Sequence, residues 1–79
     1  MWKQGSIGIL NGKGEFTSVR YCAKVYDEPS NFGINEGRIS KLELRQNGKI
    51  VYNYDRGLDI DYQTKEAELA LAILLKEYE

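Results

Sequence analysis

The side chains that most often carry catalysis are scarce in this sequence. It contains no histidine, and Cys22 is its single cysteine. Without histidine the usual general base at neutral pH is missing, and neither a Ser-His-Asp nor a Cys-His arrangement can form. A zinc site of the Cys/His kind and an internal disulfide are likewise excluded within one chain. We therefore expect a protein that is not an enzyme and uses no cofactor.

Cys22 has cationic neighbours, because Arg20 and Lys24 lie two residues to either side and share its face in a strand. Nearby cations can make a thiol reactive. No base accompanies this thiol, so we favour an ordinary small side chain on a sheet.

Three carboxylates before the C-terminal segment could hold a divalent cation. Asp59 and Asp61 are two residues apart and point the same way in an extended chain, and Asp55 is close in sequence. Divalent cations prefer oxygen ligands, but this spacing does not match an EF-hand loop. We interpret the three as a solvated face before a helix and expect no metal site.

Basic side chains on two strands suggest a second kind of site. The four that are predicted to share the outer face of the sheet are Arg20, Lys24, Lys41 and Arg45. A sheet with basic and aromatic residues can stack bases. However, Glu43 interrupts this face, and Phe16 and Tyr26 are the only rings available to it. Nucleic-acid binding is therefore the alternative hypothesis.

Two loops are only partly explained by folding. The loop 27–38 contains the only proline and two large hydrophobes, Phe32 and Ile34. A long loop with apolar residues either folds back to plug the core or is presented to a partner, and both remain open here. The second segment is the turn 55–59. The residues that we predict to contact a protein partner are Tyr26, Asp27, Glu28, Asn31, Phe32, Asn35, Arg38, Asp55, Arg56 and Asp59.

Turn residues and alternation predict the elements that carry these loops. Asn11-Gly12-Lys13-Gly14 and Asn47-Gly48 indicate two hairpins, because Asn and Gly tolerate positive φ. Period-2 alternation then predicts four strands, over 3–10, 15–26, 38–46 and 49–54. Residues 58–62 also alternate, which fits either a short fifth strand or an extended connector.

The alternation also assigns side chains to faces. It places Leu42 and Leu44 in the core and Ile39 on the polar face. In the last predicted strand it places Ile50 with the inward tyrosines Tyr52 and Tyr54, and it places Val51 on the opposite side.

A C-terminal helix is predicted over 64–78, with Thr64 as its N-cap. Its apolar stripe comprises Ala67, Leu71, Leu74 and Tyr78, widened by Ala70 and Ile73, with Leu69 and Leu75 nearer the flanks. This stripe needs the inner sheet face as its partner. We therefore predict an α+β fold: a four-stranded antiparallel β-sheet with one C-terminal α-helix packed on one face.

Chain length and charge limit the domain organisation and the location that we expect for this protein. The 79 residues suffice for a single ββββα domain over 1–79. Net charge is -1, but residues 1–53 carry eight Lys/Arg against five Asp/Glu, and residues 54–79 carry three against seven. With no signal peptide or membrane span in the sequence, we expect a cytoplasmic protein that makes no membrane contact. Pairing of an edge strand or packing of the helix could form a homodimer.

Several segments together resemble a family of short uncharacterised proteins from Firmicutes and their phages or mobile elements. They are Trp2-Lys3-Gln4-Gly5, residues 24–30, residues 33–42 and Tyr54-Asp55-Arg56-Gly57. The resemblance spans most of the chain and carries no activity, ligand or catalytic residue. It implies a context in which small domains without catalytic residues often bind a host or defence protein. Our leading hypothesis is a non-enzymatic binding module, linked to phages or mobile elements, that contacts a protein partner through loops 27–38 and 55–59.

Overall fold

The computed structural model describes residues 1–78, which form an antiparallel sheet with one helix against it. The elements are β1 (Trp2–Leu10), β2 (Phe16–Val25), a short 3-10 turn (Ile34–Glu36), β3 (Ile39–Gln46), β4 (Lys49–Asp55), β5 (Leu58–Ile60) and α1 (Lys65–Tyr78). The strand order is β1-β2-β3-β4-β5. The α+β class and the C-terminal helix are therefore confirmed.

The prediction of four strands is wrong, because Leu58–Ile60 forms a fifth. It pairs antiparallel with β4, with Asn53 opposite Ile60 and Tyr54 opposite Leu58. A tight turn makes this possible, since Arg56 has a φ of 57° and the Asp55 N–H donates to the Gly57 carbonyl at 2.9 Å. The chain thereby doubles back along the free edge of β4.

The core lies between the inner sheet face and α1. Its most deeply buried large side chains are Ile39, Leu42, Leu44, Leu74 and Val19. On α1 the buried residues are Ala67, Ala70 and Leu74. Leu69 and Ile73 are exposed, so the predicted inclusion of Ile73 in the stripe is wrong, and the half-buried Leu75 is closer to the core.

The N-terminus of α1 is capped as predicted. The Thr64 hydroxyl oxygen accepts the Ala67 N–H at 3.0 Å and donates to Gln46 Oε1 at 2.7 Å. The Gln46 amide in turn donates to Glu66 Oε1 at 3.0 Å. This chain of bonds ties the first turn of the helix to the end of β3.

Two register shifts overturn predicted side-chain faces. Between Lys24 and Val25 the pairing with β3 slips, so that Ile39 is fully buried instead of lying on the polar face. A second slip lies between Leu44 and Arg45, where β4 carries an extra residue. A bulge places two successive residues against the same face. Val51 is consequently buried, and Ile50, predicted inward, is 38% exposed.

The two strand connections differ in construction. The link from β1 to β2 is a loop over residues 11–15, in which the Asn11 side-chain oxygen accepts the N–H groups of Lys13 and Glu15. Gly14, not Gly12, has positive φ there. Between β3 and β4 only Asn47 and Gly48 intervene, and both have positive φ.

The loop 27–38 divides its two hydrophobes between the core and the surface. Ile34 is buried at 6% exposure and joins the core, whereas Phe32 is 51% exposed. The loop is closed by backbone bonds from the Ser30 N–H to the Gly37 carbonyl and from the Gly37 N–H to the Ile34 carbonyl. The loop therefore plugs the core through Ile34 and leaves Phe32 exposed at the surface.

Candidate functional site

Both candidate loops leave the sheet at the same end. In this meander the end of β2, the start of β3 and the end of β4 are neighbours, as the pairings Val25–Ile39 and Lys41–Asp55 show. The face of the sheet opposite α1, which we call the outer face, carries Lys24 and Lys41 at this end. Loop residues and basic strand residues are thus brought together.

Three contacts hold the two loops to the sheet and to each other. The Tyr54 hydroxyl donates to the Phe32 carbonyl at 3.0 Å, and the Arg56 N–H donates to the Ser40 carbonyl at 2.9 Å. The Arg56 guanidinium carbon lies 4.2 Å from the centre of the Phe32 ring. Such a cation–π contact contributes about 0.5–1 kcal/mol at an exposed site. Phe32 and Arg56 therefore form one surface from two separate chain segments.

An open cavity of about 440 Å³ lies where these segments meet, and we call it the cationic pocket. Its lining comprises three cationic, two aromatic and two hydroxyl side chains: Lys24, Lys41, Arg56, Tyr26, Phe32, Ser30 and Ser40. Small-ligand sites commonly measure about 300–1,000 Å³ and combine rings with a few placed polar groups. The composition and size of the pocket suit a binding site.

Aromatic rings surround the Lys24 ammonium. Its Nζ lies 5.8 Å from the Trp2 ring centre and 5.4 Å from that of Tyr26. The Tyr26 phenol responds to this charge, because hydrogen bonding from the Lys24 side chain is the largest influence on its pKa and lowers it from the usual value. Burial acts in the opposite direction, and the charges of Lys24 and Arg56 lower the pKa further. The pocket is therefore electropositive where Tyr26 enters it.

Ser40 is buried beside the pocket with an unpartnered hydroxyl. Its exposure is 3%, and its Oγ has no hydrogen-bond partner among residues 1–78. The Ser40 hydroxyl helps to lower the pKa of Tyr26, although no hydrogen bond joins Ser40 Oγ to the Tyr26 hydroxyl. Leaving a buried hydroxyl unpaired costs about 1–3 kcal/mol. A native structure keeps such a group only where something compensates for that cost.

The residues predicted for protein contact fall into three groups. Tyr26, Phe32 and Arg56 line the pocket. The remaining exposed loop residues stand outside it: Asp27, Glu28, Asn31 and Asn35. The other three are engaged within the fold, since Arg38 Nε donates to the Tyr78 carbonyl at 2.7 Å, Lys41 pairs with Asp55 at 3.5 Å, and Asn53 donates to Asp59 at 3.0 Å.

The four basic residues predicted for nucleic acid are paired across β2 and β3. Lys24 lies opposite Lys41, and Arg20 lies opposite Arg45. Arg45 donates two hydrogen bonds to the Glu43 carboxylate at 3.1 and 3.3 Å. With Lys41 bound to Asp55, half of the set is neutralised by carboxylates on the same face.

Sequence reasoning missed Ser30, Ser40 and Trp2. Nothing in the sequence marks the serines, because they enter the pocket only through loop closure and the slipped register of β3. Trp2 is different: it pairs with Lys24 on the outer face and is 52% exposed. Extending the alternation of β1 back to residue 2 would have found this ring.

No group of three or more His, Cys, Asp or Glu side chains within residues 1–78 is arranged to hold a metal ion. The three carboxylates before the helix bind different partners: Asp55 pairs with Lys41, Asp59 accepts from Asn53, and Asp61 accepts the Tyr62 N–H at 2.8 Å. Over the same residues, no helix has both the length and the apolar character needed to cross a membrane.

Comparison with known proteins gives a family but no precedent for the pocket. No curated protein and no solved structure matches the chain. A family model described as "Domain of unknown function (DUF7678)" matches residues 1–79, which is the whole chain. This chain therefore belongs to the DUF7678 family.

Proposed function

We propose that this protein is a non-enzymatic binding module that contacts a protein partner through the surface formed by loops 27–38 and 55–59. The observation that carries the proposal is the junction of Phe32 and Arg56, which are far apart in sequence and stack in space. Aromatic and arginine side chains are enriched among the residues that dominate binding energy at protein interfaces. Their contact pre-orders both side chains, which reduces the entropy lost on binding.

The division of roles within loop 27–38 supports this proposal. Ile34 anchors the loop in the core, so that Phe32 is held outward without a large cost in stability. An exposed aromatic ring on an anchored loop is more useful to a partner than to the fold. A phage or mobile-element setting, implied by the family resemblance of the sequence, suits a small module that acts by binding.

Capture from the native host with matched variants tests the proposal. Phe32→Ala and Arg56→Ala should each lose the partner at constant salt, because each removes half of the stacked pair. Phe16→Ala is the control, since Phe16 is 76% exposed at the opposite end of β2. Lys49→Ala serves the same purpose for Arg56. If both pocket variants retain every partner of the wild-type protein, the proposal is wrong.

Nucleic-acid binding is a second candidate, favoured by one observation. Trp2 adds an exposed ring to the outer face beside Lys24, where the sequence predicts few rings. Rings and cations together can bind single strands. Such binding would weaken steeply with salt, and Arg20→Ala or Lys24→Ala would flatten the slope. The paired state of Lys41 and Arg45 makes this candidate weaker than the first.

A further inference from the structure

The hydrogen-bonding character of the cationic pocket specifies the kind of group that it can receive. Lys24, Lys41 and Arg56 are donors only. Ser30 Oγ already accepts the Phe32 N–H at 3.2 Å, so its own proton is available to donate. The unpartnered Ser40 hydroxyl can donate as well. Within residues 1–78, no carboxylate or amide side chain lines the pocket. A ligand that only accepts hydrogen bonds would satisfy all of these groups.

The net charge of the pocket lining narrows the range of possible ligands further. The lining holds three cations, and one of them, Lys41, is shared with Asp55 at 3.5 Å. The balance is an excess of two positive charges. A carboxylate would neutralise one of them, whereas a phosphate monoester carries about −1.5 to −2 at neutral pH and offers three strong acceptor oxygens. The planar guanidinium of Arg56 also suits bidentate binding of phosphate.

The aromatic side chains that line the cationic pocket indicate which group carries the phosphate. Phe32 and Tyr26 are half-exposed rings on the pocket lining, and Arg56 already stacks on one of them. Flat apolar walls favour a flat substituent. We propose that the cationic pocket binds a phosphate monoester carried on an aromatic ring, as in a phosphorylated tyrosine side chain of the protein partner. This inference rests on the proposed function and names the group that the partner presents.

Direct titration with phenyl phosphate tests the inference. Trp2 is the only tryptophan and lies beside Lys24, so its fluorescence reports a ligand that draws the ammonium away. Calorimetry measures the same equilibrium independently. The expected result is saturable binding of phenyl phosphate that exceeds the binding of benzenesulfonate and of inorganic phosphate at least about tenfold, because neither control has both the dianion and the ring.

Two variants separate ligand binding from folding. Arg56→Lys should weaken phenyl phosphate about tenfold, since it keeps the charge and loses the planar fork. Ser40→Ala should weaken it by a similar factor while leaving the urea midpoint unchanged or raised, because the removed hydroxyl has no partner in the fold. Phe16→Ala and Lys49→Ala should bind as wild type does. A Ser40→Ala protein that loses stability but not affinity would contradict the inference.

Other outcomes are equally decisive. Equal binding of benzenesulfonate would reveal a general anion site, and stronger binding of adenosine monophosphate would identify a nucleotide, and either overturns the inference. Suppose that Phe32→Ala loses the captured partner but phenyl phosphate neither binds nor competes with that partner. The proposed function then stands and the aryl phosphate is refuted. If phenyl phosphate binds as described but capture ignores Phe32, the ligand assignment stands and the proposed protein contact fails.

Discussion

Gly33→Ala is predicted to break the closure of loop 27–38 and with it the candidate site. Gly33 has an extended backbone, with φ −78° and ψ 156°, so its conformation alone does not require glycine. The requirement is space: an added Cβ would overlap the Gly37 carbonyl oxygen and lie 2.7 Å from the carbonyl carbon. Both atoms belong to the backbone, so no side-chain rotation relieves the overlap, and the loop must move.

The magnitude follows from what that movement disturbs. Overpacking costs about 1–3 kcal/mol. If Ile34 also leaves the core, which it now occupies at 6% exposure, the loss of its burial adds roughly 1.5–3 kcal/mol. The free energy of unfolding of a domain of this size is only about 3–5 kcal/mol. We expect Gly33→Ala to lower the free energy of unfolding by about 1–3 kcal/mol if Ile34 stays in place, and by at least about 2.5 kcal/mol if Ile34 leaves the core.

Urea unfolding followed by circular dichroism measures this change. Gly12→Ala is the matched control, because no atom lies within 4 Å of an added Cβ there and the φ of Gly12 is not in the left-handed region. That variant should be neutral, or stabilised by up to about 1 kcal/mol through its unfolded state. A Gly33→Ala protein whose stability matches that of Gly12→Ala would refute the reasoning about loop closure.

Three further predictions concern the cap and the tyrosines. Thr64→Ala should lower the free energy of unfolding by about 1 kcal/mol in the same urea assay, because the Ala67 N–H loses its acceptor; no change would mean that the cap is redundant. In an alkaline absorbance titration, Tyr26→Phe should reduce the early part of the curve, because Lys24 lowers the pKa of this phenol, and an unaltered early part would contradict the effect of Lys24. The hydrogen bond to Tyr21 and burial raise the pKa of Tyr78 from 10.0 to about 12. The unfolded chain therefore releases this proton at a lower pH than the folded protein does. The stabilisation is present below pH 10 and is lost as the pH rises toward 12. Thermal melts should show this loss, Tyr78→Phe should lessen it, and an equal loss in both proteins would count against the assignment.

The fold was predictable where periodicity and local chemistry agree. The N-cap at Thr64 and the antiparallel sheet followed from residue types and alternation alone. The faces of Ile39, Ile50 and Val51 did not, because a single extra residue in a strand reverses the parity of the alternation. Two register shifts therefore displaced core assignments that a strict period of two had fixed.

The candidate site was predictable in its parts and not in their combination. The sequence assigns Tyr26, Phe32 and Arg56 to protein contact, and it assigns Lys24 and Lys41 to nucleic acid. The structure places all five around one pocket. Their convergence depends on the strand order and on the closure of two loops, which are long-range properties that residue spacing does not specify.

Photo-crosslinking tests the central claim most directly. The crosslinking amino acid p-benzoylphenylalanine would replace Phe32 in one protein and Phe16 in another, and both would be irradiated in the native host. These positions lie at opposite ends of the sheet, with Phe16 about 26 Å along β2 from Lys24 at roughly 3.3 Å per residue. The proposed function predicts a discrete protein adduct at position 32 and none at position 16. Adducts of equal yield at both positions, or none at position 32, would contradict it.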